Sequence, residues 1–246
     1  MVTSPELAPV FDRRCETCPV RHHAICSVLE NQHCHDLSDI MVHKHFQRGQ
    51  ALWGEEDDAE FIAIVVTGTV KLFKMLSDGR QQIVGLLFPS DCVGRAFSET
   101  QQTFAEAATD TELCCFPRRQ FEQVLKQHPD LEHALLEKTL NDLDNARNWM
   151  IGLGRKTAGE KVASFLSEMA RKSELTKCNQ HRPPANVPIF MLPLTRVDIA
   201  DCLGLTIETV SRNFTKLRAD GVIKSVDART IEVCDPEALA RLAEAE

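Results

Sequence analysis

The stretch RRCETCPVRHHAICSVLENQHC, residues Arg13 to Cys34, sets four cysteines and three histidines within twenty-two positions. Thiolate and imidazole are both metal donors, and two chemistries suit this spacing. A zinc ion would take Cys15 and Cys18 with two of Cys26, Cys34 and the histidines, closing its site inside the segment. An iron-sulfur cluster would take four thiolates and no imidazole. The segment itself has no sustained helical or strand period, so something other than its own core must hold it. Of the remaining cysteines, Cys92, Cys178, Cys202 and Cys234 stand isolated and read as small buried hydrophobes. The opening MVTSPELAPVFDRRC carries no charged leader followed by an apolar run, and no apolar stretch is long enough to span a bilayer. The expectation is a cytoplasmic protein without a membrane partner, in which ten cysteines point to thiols used for metal or redox chemistry, the isolated four apart, rather than to disulfides.

The 246 residues are 43% hydrophobic, enough for a substantial core. The formal charge of −8 argues against a non-specific polyanion binder, but it is unevenly spread. From Arg155 onward the chain is close to neutral, and nearly all the negative charge lies before it. The two halves are therefore expected to face different partners.

From Phe46 to Pro117 short apolar runs alternate with turn signals: FIAIVVTGTVKLFKM, SDGRQ, QIVGLLF, PSDCVG. Ser77-Asp78-Gly79 is a hairpin turn between strands rich in Val, Ile, Leu and Phe. Several such strands in succession predict an antiparallel barrel, roll or jelly roll. Next comes a long helix over about 118–150, with Leu136, Leu143 and Met150 at intervals of seven and Leu140 between them. That stripe suits a partner helix or the helix's own barrel, and His133 and Arg147 interrupt it. A further amphipathic helix places Val162, Phe165, Leu166 and Met169 on one face. The proline-rich NQHRPPANVPIFMLP then ends in a short strand.

LTRVDIADCLGLTIETVSRNFTKLRADGVIKSVDARTIEV scans as helix, turn, helix, hairpin. Thr195 caps the first helix, Gly204 permits the turn, Thr206 caps the second helix and Gly221 stops it. This is a helix-turn-helix followed by a wing. Its second helix exposes Glu208, Thr209, Ser211 and Arg212, while Val210, Phe214 and Leu217 face inward. Glu208, Ser211 and Arg212 carry the chemistry that reads base edges: carboxylate to cytosine, hydroxyl to either role, guanidinium to guanine. Thr206, Thr209, Lys216, Arg218 and Lys224 suit the phosphate backbone. Double-stranded DNA is the expected partner.

Roll, long helix and winged helix-turn-helix in that order resemble the CRP/FNR superfamily of bacterial transcription regulators over nearly the whole chain. The most specific piece is LGLTIETVSR, similar to the FNR-type recognition helix, whose Glu, Ser and Arg read a TTGAT half-site. The resemblance assigns those roles to Glu208, Ser211 and Arg212, and implies an operator of the form TTGAT-N4-ATCAA. It implies an α+β fold in four parts: a cysteine-rich segment 1–35, an antiparallel, jelly-roll-like β-roll 36–120, a dimerisation helix 121–152 and a DNA-binding domain 153–246. It also implies a homodimer, with Leu136, Leu140, Leu143 and Met150 in the seam.

FNR-type oxygen sensors carry three N-terminal cysteines and a fourth at the end of the roll, in a strand before a proline. TELCCFP puts Cys114 there, so the resemblance implies a [4Fe-4S] cluster on Cys15, Cys18, Cys26 and Cys114. Cys34 is the reserve third ligand, and only one of Cys114 and Cys115 is expected to face the cluster, because neighbours in a strand point to opposite faces. The CxxC is followed by seven residues rather than the five of the best-known members. The histidines His22, His23, His33 and His35 are expected to be solvated. The family's cyclic-nucleotide binders carry an arginine near the positions of Gln101 and Gln102; with glutamines there, and only Arg95 nearby, no cyclic nucleotide is expected. RNA polymerase contact is often placed by the family on roll loops such as Ser77–Arg80. The competing reading in the same fold is a regulator without an iron-sulfur cluster, zinc-bearing or answering another signal. A cupin-type enzyme would need more histidines than His43 and His45 at the start of the roll, and no catalytic activity is expected.

Overall fold

A computed structural model describes residues 15, 17–29, 34–178 and 188–244. The first fourteen positions of the chain, His33, the side chains of Cys34 and Cys178, and most of the proline-rich connection lie outside the described residues.

After a 3-10 turn at Ile25–Val28 and a short helix α1 (Cys34–Ser38), eight strands form the roll. They are β1 (Val42–Phe46), β2 (Ala51–Trp53), β3 (Phe61–Thr67), β4 (Val70–Met75), β5 (Gln81–Leu87), β6 (Cys92–Val93), β7 (Phe104–Ala107) and β8 (Thr111–Pro117). They build two antiparallel four-stranded sheets, β1-β8-β3-β6 and β2-β7-β4-β5. This double-sheet arrangement is the predicted jelly-roll-like roll. Ser77-Asp78-Gly79 does turn the chain between β4 and β5, with Leu76 N–H bonded to Arg80 O at 2.8 Å and Gly79 at φ 86°. Gly68, at φ 85°, turns β3 into β4 where a Cβ would lie 2.3 Å from Asp110 O, so only glycine fits. Trp53, Val65, Val70, Val93, Leu113 and Cys115 fill the space between the sheets.

The long helix is two helices. α2 (Arg118–Gln127) ends at His128, and α3 (Pro129–Arg155) restarts at once. Pro129 lacks an N–H and drives the preceding residue out of the helical region; His128 sits at φ −124°, ψ 84°. Pro129 is then well placed as the first residue of α3. α2 lies on the roll through Phe121, Val124 and Leu125, whereas α3 buries Leu131 at its base and carries Leu136, Leu140, Leu143 and Met150 exposed further along.

α4 (Ala158–Cys178) buries Val162, Phe165, Leu166 and Met169 as expected. Then follow β9 (Ile189–Met191), α5 (Arg196–Leu203), α6 (Ile207–Ala219), β10 (Ile223–Ser225), β11 (Thr230–Val233) and α7 (Pro236–Ala243). The wing hairpin β10-β11 gains β9 as a third strand. α7, absent from the sequence reading, packs against α4. Among the described residues no helix is long and apolar enough to cross a membrane.

Candidate DNA interface and cysteine pocket

The helix-turn-helix is locally determined. Thr195 Oγ1 accepts from Asp198 N–H while Asp198 accepts from Thr195 N–H, a reciprocal capping box that starts α5. Gly204 ends α5 at φ 61°, a left-handed position that favours glycine. Thr206 caps α6 by accepting from Thr209 N–H at 3.3 Å. Val210, Phe214 and Leu217 are buried against α5 and α4, which fixes the rotation of α6. Glu208, Ser211, Arg212 and Lys216 are consequently all exposed on the opposite face. Bonds from its own backbone N–H and the Thr206 hydroxyl hold the Glu208 carboxyl below its ordinary range, so it stands ready as an acceptor. Thr206 and Thr209 share their hydroxyls in the cap, 3.1 Å apart, and Arg218 is steadied by Thr215 at 2.9 Å. Lys224, on the wing, lies 3.8 Å from Glu232.

Sequence reading overlooked Arg196. Its guanidinium stacks 3.5 Å over the Phe214 ring, and burial together with the nearby Arg218 charge lowers its pKa. Two like charges held near each other at the helix-turn-helix suit an anionic phosphate backbone. Arg212→Ala should cost about 1 to 3 kcal/mol and relax discrimination at one base pair, whereas Lys216→Ala should weaken all sequences alike. Binding to duplexes with single base changes separates the two.

The second site lies on the outer face of the sheet β1-β8-β3-β6. Its register places His43, Cys114, Ile64 and Cys92 in one transverse row. The adjacent row, Val42, Cys115, Ala63 and Val93, points the other way. Cys115 is therefore buried between the sheets, its thiol pushed up to about 11 by burial. Cys114 faces outward instead, into a core shared by three parts of the chain. That core combines Val20, Ala24, Ile25 and Leu29 of the cysteine segment with Ile62, Ile64 and Phe116 of the sheet and Phe121, Leu125 and Leu131 of α2 and α3.

Cys18, Cys26 and Cys114 pack against this core, and Cys15 reaches it through Met41. The Met41 sulfur is 3.7 Å from Cys15 Sγ and 3.5 Å from Cys114 Sγ. Burial raises the Cys114 thiol, and the next contributions come from Cys15, Cys18 and Cys26 in turn. The fold thus brings Cys15, Cys18 and Cys26 each within electrostatic reach of Cys114, although ninety-nine positions separate the first from the last. Among the described residues no three His, Cys, Asp or Glu side chains are already drawn close enough for a single ion. His22, His23 and His35 are exposed, and His43 is bonded to Glu112 at 2.7 Å.

Two isolated cysteines depart from expectation. Cys234 is exposed, because it follows the last residue of β11 rather than facing its core. Cys92 is only part-buried by surface and is not isolated: it shares the row of Cys114 and feels the charge of Cys26. Strand register across three strands creates that proximity, and neither it nor Met41 left a signal in the sequence. Cys202 is buried in the helix-turn-helix core as expected.

A filled antiparallel roll leading through a long helix to an exposed recognition helix defines a DNA-binding transcription regulator, and the chain belongs to the CRP/FNR family. Residues 43–128 match the cyclic nucleotide-binding domain family, and residues 160–242 match the Crp-like helix-turn-helix domain. The chain is similar to transcriptional activator protein FnrL of Cereibacter sphaeroides, with 43% identity over 96% of this chain and 93% of that protein. It is also similar to nitrogen fixation regulation protein FixK of Bradyrhizobium diazoefficiens, 36% identical over 94% of each. The solved structure of FixK2 from Bradyrhizobium japonicum superposes with a TM-score of 0.75 at 34% identity, covering 84% of this chain and 99% of that one. These relatives are regulators, and the protein is not an enzyme.

Proposed function

We propose that this protein is an oxygen-responsive transcription activator of the FNR type, a two-fold dimer that binds DNA when a [4Fe-4S] cluster is held by Cys15, Cys18, Cys26 and Cys114. The donor set fits: thiols from two distant parts of the chain adjoin one apolar core, and of the histidines that would favour zinc His22, His23 and His35 lie exposed. When bound, such a cluster supplies an oxygen-labile crosslink between its thiolates.

The observation that carries the proposal is the shared core beneath those cysteines. The Ile25–Val28 turn packs directly on α3, and His128, at the start of α3, lies 2.7 Å from Asp36 of α1. The segment bearing Cys18 and Cys26 therefore braces the base of the dimer helix. Releasing Cys15, Cys18 and Cys26 from Cys114 frees that brace, and α3 loses the support that sets its direction. The exposed stripe of α3 then ceases to pair, and the two recognition helices no longer act together.

Glu208, Ser211 and Arg212 read TTGAT in each half of a TTGAT-N4-ATCAA operator. The exposed Ser77–Arg80 hairpin, where Arg80 pairs with Asp78 at 2.8 Å, offers the surface for RNA polymerase. The roll interior, packed by Trp53 and its neighbours and without an arginine at Gln101 or Gln102, favours no cyclic nucleotide.

The test is anisotropy of a labelled operator duplex titrated with full-length protein prepared without oxygen, then after exposure to air. Affinity should fall by about 100-fold on exposure, the scale of losing one of two linked contacts. Equal affinity in both conditions would overturn the oxygen response.

A further inference from the structure

The roll and the DNA-binding domain are joined by charge as well as by apolar packing. Lys71 of β4 is buried, with its ammonium 2.7 Å from Asp198 Oδ1 and 2.9 Å from Glu106 Oε1. Glu106 stands opposite Lys71 on β7, so that half of the triad lies within the roll. Asp198 belongs to α5, the first helix of the helix-turn-helix. Its other oxygen accepts from Thr195 N–H at 2.9 Å and from the Thr195 hydroxyl at 2.6 Å. The same carboxylate thus starts α5 and binds the lysine of the roll.

The far end of α5 is tied as well. Gln81 Nε2 donates to Asp201 Oδ2 at 2.6 Å, and Gln82 Nε2 donates to Cys202 O at 3.0 Å, both from β5. Between these ties Phe73, stacked on Phe104 at 5.1 Å, and Ile83 run into the core of the DNA-binding domain. Apolar packing alone would join the two bodies without a buried ammonium, whose desolvation is unfavourable. Paired buried charges contribute little net stability but tolerate only one geometry. The pairing outweighs desolvation here: Lys71 stays raised and Asp198 lowered from their ordinary values despite burial.

Two recognition helices must sit about one duplex turn apart to engage both half-sites. We infer that Lys71 is a positioning residue for DNA recognition: by clamping Asp198 it fixes α5, and the α6 packed on it, relative to the roll and the dimer axis. The clamp therefore sets which half-site spacing the protein accepts. This rests on the two-fold dimer proposed above, and native mass measured on every variant separates failure of the dimer from failure of the clamp.

The probe is the duplex that full-length wild-type protein, prepared without oxygen, selects from a randomised pool, together with versions carrying two base pairs more or fewer at its centre. Wild type should prefer the selected spacing by about 100-fold, the advantage of simultaneous engagement. Lys71→Met, still dimeric, should bind the selected duplex about tenfold more weakly and discriminate spacings by about threefold or less. Asp198→Asn is the milder break, since it leaves Lys71 paired with Glu106 and keeps an acceptor for Thr195; its discrimination should also shrink. Either variant, as a folded dimer with wild-type discrimination, overturns the inference.

Discussion

Cys114→Ala is expected to abolish iron binding and to lower operator affinity by about 10² to 10⁴, whereas Cys115→Ala leaves both intact. The two thiols are neighbours in sequence and lie on opposite faces of β8. Of the two, only Cys114 lies on the side of Cys15, Cys18 and Cys26, and none of the three can replace it because they all come from the segment it must hold. Cys115→Ala removes a small side chain from the roll core, at a cost of about 1 kcal/mol in stability. Iron content, native mass and operator titration on the two variants, prepared without oxygen, check the contrast. Iron retained by Cys114→Ala would show that the donor set is wrong.

Leu140→Glu should break the dimer while leaving iron binding intact. Leu136, Leu140, Leu143 and Met150 are 53%, 52%, 45% and 70% exposed in the single chain, an aliphatic stripe along α3. Ile151, 62% exposed, extends it. The two polar residues on the stripe find local partners, His133 with Glu137 at 3.3 Å and Arg147 with Asp144 at 2.9 Å, so neither needs to be desolvated alone. Burying one leucine contributes about 1.5 to 3 kcal/mol, and a two-fold axis counts it twice. A carboxylate at Leu140 removes both contributions and faces its own copy. Sedimentation at micromolar concentration should show monomer, with operator affinity reduced by about 10² to 10⁴. A stable dimer of Leu140→Glu would place the seam elsewhere.

The helix-turn-helix was legible because its signals are local: caps at Thr195 and Thr206 and a left-handed glycine between them decide the two helices within a few residues. The roll was legible as strands but not as sheets. The order β1-β8-β3-β6 depends on partners about seventy positions apart, such as Val42 and Cys115, which no periodicity encodes. That order also puts Cys92 in the row of Cys114, and the order β2-β7-β4-β5 of the other sheet puts Lys71 opposite Glu106. The break at Pro129 departs from the single helix expected over 118–150, although proline at a helix start was a sufficient signal. α7 had its signal too: Asp235 accepts from Ala238 N–H, and Pro236 follows it. The expected grouping of Cys114 with the N-terminal cysteines came from resemblance, and the apolar core that Cys18, Cys26 and Cys114 adjoin is tertiary.

The most direct measurement is the visible absorption spectrum of full-length protein prepared without oxygen, with iron and sulfide determined on the same sample. A brown protein with about four irons and four sulfides per chain, bleaching in air as operator binding is lost, is the predicted result. A colourless protein containing stoichiometric zinc, with operator binding unchanged by air, would contradict it.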